Sequence, residues 1–273
     1  LETKDFEYTI TDPINPEFIP EPYQEDVKKH GTHDQKKHGS WADGGGSTDT
    51  GLDAMPYEWK PNLGGTVRSS ESYESLKETY SNVAHAPIVT RVWGSELDSI
   101  VADGHFKSLN EAPNSSSVAS ADYLDARAEL ENDTWGVPKN AVQPMYGYMD
   151  TTYDGHKPDV KNYGDVKIIL KNTVAGRTTV TAGDSLDNRL IPIRVTDARS
   201  GSLSGTALVK ASQGGNFFEG ADSVFYFEAQ IHGGISVSDI KSVEVNKYGR
   251  VEQTTYDALK KLGIKVKVER WSK

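Results

Sequence analysis

Apolar and polar positions alternate with period two across Val224–Val245, VFYFEAQIHGGISVSDIKSVEV, which predicts a pair of strands around a glycine turn. In the first strand Phe225, Phe227, Ala229 and Ile231 share one face, while Val224, Tyr226, Glu228 and Gln230 share the other. That makes it a core strand carrying one carboxylate. Upstream the period changes. SSESYESLKETYSNV spaces Tyr73, Leu76, Tyr80 and Val83 as one helix face behind a serine cap, and a folded domain starts about there. PIVTRVW follows as a short strand ending in a turn at Gly94. SELDSIVADG then reads as a helix, with Ser95 as cap, Leu97, Ile100 and Val101 as its stripe and Gly104 as its stop. A second helical pattern covers ADYLDARAELEN. From Tyr163 onward the pattern predicts strands at DVKIIL, RTTVTA, LIPIRV, GTALVK, SVFYFEAQI and IKSVEV. The chain closes with a helix over TTYDALKKLG, capped by Thr254 or Thr255 and stopped by Gly263, and a strand at IKVKV. A helical half followed by a strand-rich half predicts an α+β domain rather than a parallel doubly wound sheet.

Composition divides the chain in two. Residues 1–65 hold Pro13, Pro16, Pro20, Pro22, Pro56 and Pro61 together with KKHGTHDQKKHGSW and ADGGGSTDTG, too little apolar area to offset chain entropy. They are expected to form an extended arm or linker, with residues 66–273 as the α+β domain. A net charge of −10 argues against a surface that coats nucleic acid non-specifically, which requires clustered Lys and Arg. The absence of cysteine removes disulfides, thiolate catalysis and Cys-ligated zinc. No apolar run approaches the roughly 18 residues of a membrane span, and the opening LETKDFEYTI has no basic start leading into an apolar core. No membrane partner is expected.

A carboxylate amid aromatic surface costs desolvation unless hydrogen-bonded, so Glu228 is either a satisfied structural acid or a working one. Other chemistry finds less support. His30, His33 and His38 could share a metal with Asp34, but flanking lysines work against it and no metal site is assigned. No G-x-S-x-G, P-loop or G-x-G-x-x-G follows a predicted strand, and GGGS at Gly44–Ser47 lies in the linker. Asp184 and Ser185 read as turn formers, and His232 beside Gly233 and Gly234 reads as a turn histidine.

The order of these elements carries a resemblance: a strand with Arg91 in TRV, the helix SELDSIVADG, then a late strand with Glu228 running into QIHGGISVSDIKSVEV. From Pro87 to Val245 this resembles the ADP-ribosyltransferase-like domain of bacterial toxins and phage proteins, which implies an α+β fold with a mixed or antiparallel split sheet and flanking helices. The resemblance implies that Glu228 is the catalytic carboxylate and that Arg91 holds NAD. It further implies that Thr179 and Thr181 of RTTVTA lie beside the nicotinamide, and that Tyr226 and Gln230 line the pocket. NAD would be the substrate. Many arginine-modifying members carry Glu or Gln two residues before the catalytic Glu, whereas this chain has Tyr226 there, which leaves the acceptor open. The stretch KKHGTHDQKKHG also resembles segments of tailed-phage head morphogenesis and minor capsid proteins. The expected function is NAD-dependent ADP-ribosyl transfer to a macromolecular acceptor by a phage-associated protein, in the virion or in the host cytoplasm after delivery. The alternative is an inactive minor head protein that binds other virion proteins through the same fold.

Overall fold

The computed structural model describes residues 51–62, 73–108, 111, 121–151, 160, 163–186, 189–212 and 226–269. His30, His33, His38, Val224 and Phe225 lie outside them.

Among the described residues eight strands form one sheet: β1 Ile88–Val92, β2 Met145–Met149, β3 Val166–Leu170, β4 Thr178–Ala182, β5 Ile193–Arg194, β6 Phe227–Ile231, β7 Ile240–Asn246 and β8 Lys265–Glu269. Their spatial order is β5-β4-β6-β2-β1-β3-β7-β8, with every pairing antiparallel except the parallel β7–β8 edge. The helices are α1 Tyr73–Ala84, α2 Gly94–Asp103, α3 Ala121–Glu129 (continued by a π-helical turn, Leu130–Thr134), α4 Val195–Ser200, α5 Gly205–Ala211 and α6 Gln253–Lys261. This is a mixed α+β architecture.

Period two sorts the two sheet faces. Met149, Ile168, Val180, Phe227, Ala229 and Val243 point into the main core, where they meet α1, α2, α4 and α5. Leu76, Tyr80 and Val83 make up the buried face of α1 as their spacing predicts, and the Tyr80 hydroxyl donates to the Ala211 carbonyl at 2.5 Å. Leu97, Ile100 and Val101 do the same for α2, which ends at Gly104 in the left-handed conformation. Its start differs from the expectation. Trp93 is the cap residue, its N–H bonded to the Glu96 carboxylate, and Asp165 accepts from Gly94 N–H, so Ser95 lies inside the helix.

Two further expectations are corrected. GTALVK is helix α5, because Ser204 caps it by accepting from Ala207 N–H and Leu208 and Ala211 bury one side against the core. LIPIRV contributes only the two residues of β5 before the chain turns into α4. Strand β2, MYGYM, has no clear sequence signal, since its central glycine and the tyrosines on either side of it blur the alternation. Its Gly147 is required by packing: a Cβ there would stand 2.3 Å from the Val89 carbonyl oxygen of the neighbouring strand. Gly147→Ala must push β2 from β1 and is expected to cost about 3 kcal/mol, read as a lower urea midpoint with an unchanged slope. An unchanged midpoint would mean that the two strands can separate freely.

Candidate functional site

The other sheet face is polar, and strand register arranges it in rows. Arg194, Thr179, Gln230 and Tyr146 lie side by side on β5, β4, β6 and β2. Thr181, Glu228, Tyr148 and Val89 form the next row, on β4, β6, β2 and β1. Arg91 stands beyond, opposite Lys167 of β3.

Glu228 is 4% exposed. One of its carboxyl oxygens accepts from the Ser185 hydroxyl at 2.5 Å and from the Gln230 amide at 2.9 Å. Gln230 in turn donates to the Thr181 hydroxyl at 3.1 Å and accepts from Thr179 at 2.9 Å. Thr179 has a single hydrogen, already given to Gln230, so its 2.9 Å contact with His232 Nε2 requires the ring N–H to donate. His232 Nδ1 is then the acceptor for the Tyr57 hydroxyl. Burial, reinforced by Arg177 and Arg194, drives the His232 pKa down to about 3, in keeping with this neutral tautomer.

On the Glu228 side of this network the positive charge comes from α3. Arg127 donates to Ser185 at 3.0 Å and to Tyr123 at 3.1 Å, its guanidinium lies 4.2 Å from the Tyr146 ring centroid, and it is 5% exposed. Among the described residues its Nε has no hydrogen-bond partner. One helical turn further on, Glu131 is buried in the π-turn and accepts from the Tyr146 hydroxyl. Tyr123, Arg127 and Glu131 thus present one i, i+4, i+8 edge to the sheet. Burial pushes both carboxyls up to about 7. Arg127 restrains each of them, while Glu228 adds to the rise of Glu131 and Asp184 adds to that of Glu228.

Of the residues expected from sequence, the structure brings Glu228, Gln230, Thr179 and Thr181 into one hydrogen-bonded cluster. Tyr226 adjoins it, with its hydroxyl pKa raised by burial and by Glu228, and its ring meets Tyr163 at 6.1 Å. Arg91 shares the face but not the cluster: it donates to the Gly164 carbonyl at 3.2 and 2.8 Å, two strands away from Glu228 across Tyr148. Sequence reasoning missed Arg127, Glu131, Tyr146 and Tyr57, and read Ser185 and His232 as turn residues. The four-residue spacing of Tyr123, Arg127 and Glu131 was the available signal.

Residues 51–62, which the sequence assigns to the arm, lie over one end of this site. Trp59 approaches the His232 ring at 5.1 Å, Asp53 pairs with Arg177 at 3.1 Å, and Asn62 N–H donates to the Thr134 carbonyl at 2.8 Å. Aromatic rings here gain buried area that proline-rich composition alone does not suggest. Among the described residues no cluster of His, Asp and Glu is arranged to hold a metal, and no helix is long and apolar enough to cross a membrane.

Sheet and site together define an α+β protein whose polar sheet face holds a buried Glu–Ser–Arg and Gln–Thr–His network. No model of a known protein family matches the chain. It is similar to the Gene 2 protein of Mycobacterium phage D29, 31% identical over 220 residues that cover 73% of this chain and 80% of that protein. It is also similar to the Gene 2 protein of Mycobacterium phage L5, 33% identical over 169 residues, 56% of this chain and 61% of the relative. The chain belongs to this family of mycobacteriophage Gene 2 proteins.

Proposed function

We propose that this phage protein transfers ADP-ribose from NAD to a macromolecular acceptor, with the reacting ribose held at Glu228. The observation that carries the reading is a buried carboxyl on the polar sheet face, fixed by Ser185 and Gln230 and faced by a guanidinium. Breaking the bond between ribose and nicotinamide builds positive charge on the ribose ring, and a preorganised carboxylate in a water-poor site stabilises it. Thr179, Thr181 and Gln230 are already mutually hydrogen-bonded, so they keep their geometry when a ligand arrives. Arg91, on the same face, is assigned to the pyrophosphate, where a forked donor fits two oxygens. The protein would act in the virion or in the host cytoplasm after delivery.

Calorimetry with NAD on the full chain tests this. The wild type and Glu228→Gln are expected to bind with similar affinity, and Arg91→Ala about tenfold more weakly. The cover formed by Tyr57 and Trp59 favours a second reading, an inactive head component whose polar face serves structure. Absence of NAD binding to the wild type would select it.

A further inference from the structure

We propose that Glu131 is the general base of this site, taking the proton from the hydroxyl or water that attacks the ribose. The inference rests on the transfer reading above. Three placements support it. Glu131 comes from a π-helical turn, an insertion that turns its side chain inward, and such turns recur where a helix must serve a site. It stands one turn beyond Arg127, whose guanidinium reaches Glu228 through Ser185. Its partner Tyr146 is the direct cross-strand neighbour of Gln230, which donates to the same Glu228 oxygen as Ser185. Two buried carboxyls from different elements thus lie near Arg127, Glu131 one turn along its own helix and Glu228 through Ser185. Burial lets both carboxyls keep their protons up to about neutral pH; above it both are carboxylates, with Glu131 free to accept a proton while Glu228 carries the charge that faces the ribose.

The bond changes balance. The attacking oxygen bonds to ribose C1′ and its proton passes to Glu131. The C1′–N bond breaks, and its electron pair neutralises the pyridinium of the departing nicotinamide. Glu228 remains the carboxylate that faces the cationic ring. The charged and titratable groups around Glu131 are Arg127 on its own helix, Tyr146 on β2, Glu228 on β6 and Tyr57 from residues 51–62. The Tyr146 hydrogen bond lowers the Glu131 pKa against the effect of burial. Tyr146→Phe must therefore move the acidic limb of the rate profile to higher pH.

The test is nicotinamide release from NAD by the full chain, with water as acceptor, followed from pH 5 to 9 beside NAD binding by calorimetry. Glu131→Gln is expected to bind NAD within about twofold of wild type, to release nicotinamide about 100-fold more slowly and to keep only the shallower acidic limb that Glu228 sets. Glu131→Asp should recover part of the rate. Should Glu131→Gln fail to fold, the shifted limb of Tyr146→Phe reads the same proton. A Glu131→Gln protein with the wild-type rate and profile, or an unshifted limb in Tyr146→Phe, overturns the base while leaving the transfer reading standing. A wild type that binds no NAD and releases no nicotinamide overturns both.

Discussion

Glu228→Gln should lose nicotinamide release by about 1000-fold, the scale of removing one preorganised charge from a transition state, while becoming more stable than the wild type in mild alkali. Both effects have one cause. Burial holds the Glu228 pKa at about 7, against 4.5 when unshifted, so the folded protein keeps a proton that the unfolded chain releases between those values. The stability contributed by that proton is complete below pH 4.5 and lost as pH rises through 7. Glu131 behaves in the same way. His232 opposes them: the unfolded imidazole takes up a proton below 6.5, whereas the folded one stays neutral to about 3, so its contribution is present above 6.5 and lost as pH falls. Between 4.5 and 6.5 two carboxyls outweigh one imidazole, and stability should decline as pH rises. Glutamine removes one of the two titrations. The variant should match wild type near pH 4.5 and gain up to roughly 3 kcal/mol at pH 8, less whatever its amide loses in the bond from Ser185. Melting curves at the two pH values measure this. A variant less stable than wild type at pH 8 would mean that the fold depends on a charged Glu228.

The alternation that made β6 legible also separated its core residues from those that face away, and Phe227, Ala229 and Ile231 lie in the core as expected. Local signals of this kind depend only on neighbours in sequence. His-Gly-Gly after β6 is another: Gly233 and Gly234 both take positive φ, 78° and 76°, and build the turn their identity suggests. GTALVK was lost because its apolar residues fit either period, and only the Ser204 cap separates the two. The guanidinium at Glu228 was lost for a different reason. Arg91 is near in strand pattern, but the cation that reaches Ser185 comes from a helix 58 residues away in sequence, and no local rule reports which helix crosses a sheet face. Ser185 and His232 carried the residue types of ordinary turns, and only burial distinguishes them.

Arg177→Ala should be the most damaging single change outside the strands. Its guanidinium donates to the His232 and Gly234 carbonyls at 2.8 and 2.5 Å and pairs with Asp239 at 2.9 Å and Asp53 at 3.1 Å. The Arg177 carbonyl also accepts from His232 N–H at 2.9 Å. One side chain therefore fixes the turn after the Glu228 strand, the loop into β7 and the start of residues 51–62. Alanine leaves Asp239 with only its Ser236 bonds and strands two carbonyls, a loss of about 3–5 kcal/mol. Most of that comes from the abandoned charge, so Asp239→Asn added to Arg177→Ala should recover part of the loss in a double-mutant cycle. Strict additivity would show that the two side chains do not interact. Because His232 is held on one side by this turn and on the other by Tyr57, the same variant should release residues 51–62, read as faster proteolysis there. Proteolysis at the wild-type rate would separate the turn from the cover, and would leave Trp59 and Tyr57 as the contacts that hold those residues over the site.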